Sequence, residues 1–142
     1  MGISWIQQGD HPQNKTLTVY ARSDTPDVVA PDGSTVYVLM DQSRGATRLS
    51  LAEAVVGPGE RTACISHRTI EEVWYVLRGA GTFHQTLPNG TSAQAAITAG
   101  DALLIATGTR FWVDNPGPHE LAFLCCDAPG WPGPEEAIVH DH

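Results

Sequence analysis

The stretch "ISHRTIEEVWYVLRGAG", Ile65 to Gly81, sets His67 and the carboxylates Glu71 and Glu72 ahead of an apolar run that closes in a glycine turn. In an extended chain, residues two apart share a face. Ile65 then points with His67, and Glu72 with Trp74 and Val76. Glu71, Val73, Tyr75 and Leu77 take the opposite face. The run is apolar on both, which predicts a strand covered on both sides. A carboxylate at its start is desolvated, and its proton affinity rises unless a cation or donor lies close. His67, five residues upstream across a short turn, is near enough to be that partner. Such a pair binds a metal, exchanges protons or simply satisfies itself.

Outward from this stretch the chain repeats short β-branched and aromatic segments. They are "LTVYAR" (17–22), "TVYVLM" (35–40), "RLSLAEAVV" (48–56), "EVWYVL" (72–77), "GTFHQTL" (81–87), "DALLIA" (101–106), "RFWVDN" (110–115) and "ELAFLCC" (120–126). "PDGS", "QSRG", "GPGE", "RGAG", "PNG" and "NPGP" punctuate them with turn chemistry. No window sustains a helical apolar period; "AQAAITAG" comes nearest, and Thr98 and Gly100 end it. Regularly spaced short strands in 142 residues imply one all-β domain, a sandwich, jelly roll or barrel, with a core over about 17–126. The tail, 127–142, carries the breakers "APGWPGP", which bar a ladder strand there and leave Trp131 to fold back over an apolar surface or a barrel mouth.

Composition narrows the function classes. The formal charge is −8 with no basic cluster, which disfavours nucleic acid and anionic membrane as partners. No run of 18 apolar residues is present, and "MGISWIQQGD" lacks the basic and apolar regions of a signal peptide, so a cytoplasmic protein is expected. Cys64, Cys125 and Cys126 are odd in number, and two are adjacent, which argues against a disulfide framework.

Further candidates follow from phase. Phe111 and Val113 share a face and offer an aromatic wall. His84 alternates with Thr82 and Thr86, as a second imidazole or a solvated one. Glu53 is in phase with Leu49, Leu51 and Val55, which predicts an additional inward carboxylate. His11, His119, His140 and His142 fall in polar, turn or tail sequence and are expected to be solvated.

These elements, in this order, resemble the cupin superfamily, whose fold is a double-stranded β-helix, a jelly-roll barrel. The family's first motif is a Gly, His-x-His, three or four residues, Glu, six residues and Gly. Glu72 followed by Gly79 matches its metal-binding Glu, His67 its second His, and Ile65 stands at the first. "PGE" (58–60) matches the turn that opens the motif. The second motif maps onto Gly100, Ala106 in place of Pro, Gly108, Phe111 in place of His, and Asn115. The resemblance therefore implies a degenerate metal site that keeps His67 and Glu72 and lacks two ligands. If a divalent metal is held, His67 and Glu72, with His84 or Glu53 compensating, would hold it; a catalytic centre generally needs three protein ligands. No cofactor is favoured.

Three functions are compatible with these residues. The first is a metal-independent enzyme doing proton-transfer chemistry, an isomerase, cyclase or dehydratase, on a small organic ligand. His67 and Glu72 would exchange protons, acid and base unassigned, in an apolar pocket walled by Ile65, Trp74, Val76, Phe111 and Val113, with His84 and Glu53 as further contacts. The second is a non-catalytic metabolite-binding cupin. The third is a metal-dependent lyase or dioxygenase with an altered ligand set. The family analogy also implies a homodimer made through the N-terminal strands, since an exposed edge needs cover.

Overall fold

The computed structural model describes residues 17–141 and is built almost entirely of strands. In chain order these are β1 (Val28–Val29), β2 (Thr35–Met40), β3 (Ser50–Val56), β4 (Cys64–His67), β5 (Glu71–Arg78), β6 (Ala80–Thr86), β7 (Ser92–Thr98), β8 (Ala102–Ile105), β9 (Arg110–Asp114), β10 (Leu121–Ala128) and β11 (Ala137–His140). They form two antiparallel sheets. One runs β1-β2-β3-β10-β5-β8 and the other β11-β4-β9-β6-β7, so from β3 onward the chain passes from sheet to sheet at every connection except β6–β7, as in a jelly roll.

The core lies between the sheets because one residue in two along each central strand turns inward. Trp74 and Val76 of β5 meet Phe123 of β10, Ala54 and Val56 of β3, and Phe83, Phe111 and Val113 of the opposite sheet, all nearly or fully buried. Trp74 stacks on Phe123 with ring centroids 3.8 Å apart and meets Phe83 and Phe111 edge-on. The turn Arg78–Gly79–Ala80 joins the two sheets. Gly79 has φ +84°, and a Cβ there would lie 2.3 Å from the Glu120 carbonyl oxygen, so both conformation and space demand glycine. Asn115, 1% exposed, ties the β9 end down by donating its amide to the carbonyls of Val56, Gly57 and His119.

Several expectations shift. "LTVYAR" forms no strand and pairs with none among the described residues, and Leu17 and Val19 are 89% and 85% exposed. "AQAAITAG", left out of the expected strands, lies largely in β7, which pairs with β6 over its whole length. The tail does reach a ladder. "APGWPGP" stays irregular, but β11 beyond it pairs with β4, and His140 is half-buried there with its Nε2 2.8 Å from the Ser66 hydroxyl. His11, His142 and the "MGISWIQQGD" segment lie outside the described residues.

Candidate functional site

β4 ends on His67 and β5 begins near Glu72, so the three-residue turn between them brings both side chains to one end of the barrel interior. His67 Nε2 lies 3.8 Å from Glu72 Oε1, and the two residues are 4% and 6% exposed. Glu72 accepts a hydrogen bond from the Trp74 indole N–H. Across the β5–β10 ladder, Glu72 stands directly opposite Asp127, also 6% exposed, so two buried carboxyls face each other. Ser50 of β3 is opposite Asp127 on its other side. Two polar atoms in this buried group have no hydrogen-bond partner: His67 Nδ1 and Asp127 Oδ1.

Burial sets the protonation behaviour. It raises the Glu72 carboxyl well above the ordinary glutamate range, and Asp127 raises it further, against the pull of the Trp74 N–H. Burial likewise raises Asp127, offset in part by Glu72 and His67. His67 is lowered by burial, against the carboxylates Asp127, Glu136 and Asp32. Cys125, opposite Trp74, has its thiol pushed well up by burial and then by Glu72.

The tail closes this end. Trp131 lies edge-on to His67 with centroids 5.8 Å apart, and Phe111 does so at 5.3 Å. The Trp131 backbone N–H donates to the Ser50 hydroxyl. Glu136, 5% exposed, accepts from the Thr69 N–H, the Thr69 hydroxyl and the Ile70 N–H, the turn that sets His67 against Glu72. Burial opposes its charge, but those three donors outweigh it and hold Glu136 below the ordinary range.

The remaining candidates divide by strand parity. Ile65 and Phe111 point inward and are direct partners across β4 and β9. The two positions where the motif's histidines are replaced thus form one apolar contact. Trp74, Val76, Phe111 and Val113 are 0–2% exposed and fill the interior as core, rather than lining an open pocket. A cleft of about 450 Å³ opens instead one layer away, between β7 and β8, floored by Phe83, Leu103 and Gln85. His84 faces out from the second sheet, stacked flat on Trp112 at 3.7 Å. Glu53 also faces out. It is 6% exposed, but arginines cover it: Arg22 Nε and Arg78 Nη2 each lie 3.1 Å from its carboxylate. Its strand is apolar on both faces, so phase with Leu51 and Val55 did not identify the inner one.

Asp127, Glu136, Asp32 and Cys125 were not singled out from the sequence. Asp127 and Cys125 were available to the two-residue period, since both continue the inward phase of Phe123, Cys125 within the expected strand and Asp127 one residue past its end. Glu136 and Asp32 act from a short 3-10 turn and a loop, where no periodicity applies.

With this geometry in view, comparison with known proteins is direct. The model of the cupin domain family matches residues 52–127, more than half of the chain. The chain belongs to the cupin family. An uncharacterised protein of Methanocaldococcus jannaschii is 31% identical over 112 residues, covering 78% of this cupin and 86% of that relative. Oxalate decarboxylase of Bacillus subtilis superposes with a TM-score of 0.68 at 19% identity over 81% of this chain. CapF, solved with the inhibitor 3-isopropenyl-tropolone, superposes at 0.64 and 13% identity over 77%. This cupin spans about three-tenths of the length of those two solved chains. At such identity the likeness establishes the fold.

The B. subtilis decarboxylase has Mn(II) centres. The donor set that the family motif would supply is incomplete here. Among the described residues no cluster of three or more His, Cys, Asp or Glu side chains is arranged to hold a metal ion. Ile65 and Phe111 occupy two ligand positions, His84 and Glu53 point away, and Glu72 already accepts from an indole N–H. Among the described residues, no helix is long and apolar enough to cross a membrane.

Proposed function

We propose that this cupin carries out proton-transfer chemistry on a small organic molecule at the mouth covered by Trp131, with His67, Glu72 and Asp127 as the reacting groups. The observation that carries the reading is the buried Glu72–Asp127 carboxyl pair, facing an imidazole and leaving His67 Nδ1 and Asp127 Oδ1 unpaired. Two groups whose environments push their proton affinities in opposite directions are what acid–base catalysis at neutral pH requires. Glu72, raised by burial and by Asp127, keeps its proton and serves as the acid. His67, lowered by burial, stays neutral and serves as the base. Trp74 orients Glu72 through its indole N–H, and Trp131 and Phe111 exclude water from the imidazole. Isomerisation, cyclisation and dehydration fit this pair.

Infrared difference spectroscopy at neutral pH tests the reading. A protonated-carboxyl band present in the wild type and lost in Glu72→Gln is expected, together with loss of turnover in Glu72→Gln and His67→Ala of retained fold. A Glu72 ionised at neutral pH overturns it.

The reading extends to a cytoplasmic homodimer. The three free cysteines suit a reducing compartment. The outer face of the six-stranded sheet carries exposed Val73, Tyr75, Leu77 and Leu104 around the Glu53–Arg22–Arg78–Glu120 cluster, whose charges cancel. Six strands about 4.8 Å apart and about six residues long give roughly 600 Å² per copy, about 1,200 Å² in a symmetric pair, enough for a specific contact. A second copy is the occupant, with the unpaired "LTVYAR" segments at its margin. Val73→Lys is expected to shift a dimeric elution volume to that of a monomer; a wild type already monomeric at high concentration counts against the pair.

A further inference from the structure

The charges acting on the mouth are of one sign. Asp127, Glu136 and Asp32 are the charged groups with the strongest effect on His67, and each is a carboxyl. They come from β10, the 3-10 turn of the tail and the β1–β2 loop. Arg22 and Arg78 are committed to Glu53 on the outer face, Arg44 to the carbonyls of Val38 and Leu39, and Arg61 to the Trp112 ring. Arg68, beside His67 in sequence, is exposed and donates to the Glu135 carbonyl. Two aromatic rings flank the imidazole, Phe111 and the half-buried Trp131. An acidic group alone would be no more than a solvated or self-satisfied surface. Here, however, two side chains more than nine-tenths buried keep an unpartnered polar atom at its centre, Asp127 Oδ1 and His67 Nδ1.

Building on the reading of this mouth as the reaction site, we infer that its ligand is a small organic amine bound as an ammonium ion between Asp127 and the Trp131 ring. An ammonium donates to the free Asp127 oxygen and gains from the π face of an indole, and carboxyls at no direct hydrogen-bond distance still favour it through charge. A carboxylate or phosphate ligand meets the same carboxyls as repulsion. The amine class follows from the sign of the charge and the aromatic flank together; either alone is less selective.

Three probes with one ring and different head groups decide the matter: 2-phenylethylamine, 2-phenylethanol and phenylacetate, titrated by calorimetry and NMR against chelator-treated protein. The amine is expected to bind at least tenfold tighter than the alcohol, with phenylacetate showing no saturation. Shifts should appear at the Trp131 indole and the His67 ring. Asp127→Asn and Trp131→Ala should each weaken the amine tenfold or more. Because Asp127→Asn disturbs a buried position, the wild-type shifts and the Trp131→Ala variant on the irregular tail stand independently of its folding. Alcohol or acid binding as tightly as the amine overturns the inference while leaving the acid–base reading in place. Absence of any saturable amine binding overturns it too, as does stoichiometric uptake of Mn(II) or Zn(II) that Asp127→Asn removes. The Glu72 infrared band judges the acid–base reading separately in every case.

Discussion

Glu53 and Glu72 are equally buried, at 6% exposure, and sit on neighbouring parts of the same sheet, yet they live in opposite chemical worlds. Glu53 faces outward under two guanidinium groups, each 3.1 Å away. Glu72 faces inward toward an indole, an imidazole and a second carboxyl. The cost of removing a carboxylate from water is comparable for both; what differs is who answers the charge. Arginines answer Glu53. Nothing of positive charge answers Glu72 except a histidine that burial itself discourages from ionising, so the proton affinity of the carboxyl is raised. One arrangement fixes a sheet face. The other holds two carboxyls and an imidazole away from water.

Removing Trp74 breaks the Glu72 half of this comparison most severely. Trp74 is 1% exposed, stacks on Phe123 and supplies the N–H that Glu72 accepts. Trp74→Ala leaves a large void in the aromatic interior and is expected to cost about 3–5 kcal/mol, read as a lowered midpoint in chemical denaturation. Trp74→Phe keeps most of the volume and removes the donor, so its cost should be near 1 kcal/mol, the ordinary worth of a hydrogen bond. Equal costs for the two variants would mean that the N–H, and not the packing, holds this wall.

The difference between the two glutamates was only half legible in the sequence. Alternation around Trp74, Phe83, Phe111 and Phe123 located the strands, because a two-residue period survives wherever one face is buried. It did not orient Glu53, whose strand is apolar on both faces, nor reveal that Leu17 and Val19 find no neighbouring strand, since alternation describes a strand and not its partner. The motif spacing identified His67 and Glu72 correctly as neighbours, as the 3.8 Å separation attests. Asp127 was hidden by the Pro and Gly that follow it, which made the strand seem to stop short. Whether rings line a pocket or fill a core depends on how they stack, and here Trp74 and Phe123 meet at 3.8 Å and close the space.

Substituting Glu72 by Gln sharpens the comparison through pH. A carboxyl whose folded-state proton affinity is raised contributes stability that is fully present below its unfolded pKa and is lost as pH rises through its folded pKa. Glu72 and Asp127 are both raised, so the wild type should lose stability on going from acid through neutral toward alkaline pH. Glu72→Gln removes one of the two groups that must ionise while keeping an acceptor for the Trp74 N–H. It should match the wild type in acid and exceed it by about 1–3 kcal/mol at alkaline pH, the scale of an unanswered buried charge. Denaturation midpoints at several pH values check this. A variant less stable than the wild type at alkaline pH would mean that Glu72 is answered by a cation.

Glu53→Gln should act with the opposite sign and the smallest size. It removes the ion that Arg22 and Arg78 share, so it destabilises where Glu72→Gln stabilises. Both arginines are more than a third exposed, at 36% and 46%, and Arg78 keeps Glu120 as a second partner at 2.6 Å. Solvent therefore screens much of the attraction, and the expected loss at neutral pH is about 1 kcal/mol. Salt provides the control: raising ionic strength should shrink the Glu53 difference, because its partners are in contact with solvent, and leave the Glu72 difference nearly unchanged, because no mobile ion reaches that carboxyl. If both differences fell together with salt, the inner carboxyl would be as open to solvent as the outer one, and the separation of the two roles would fail.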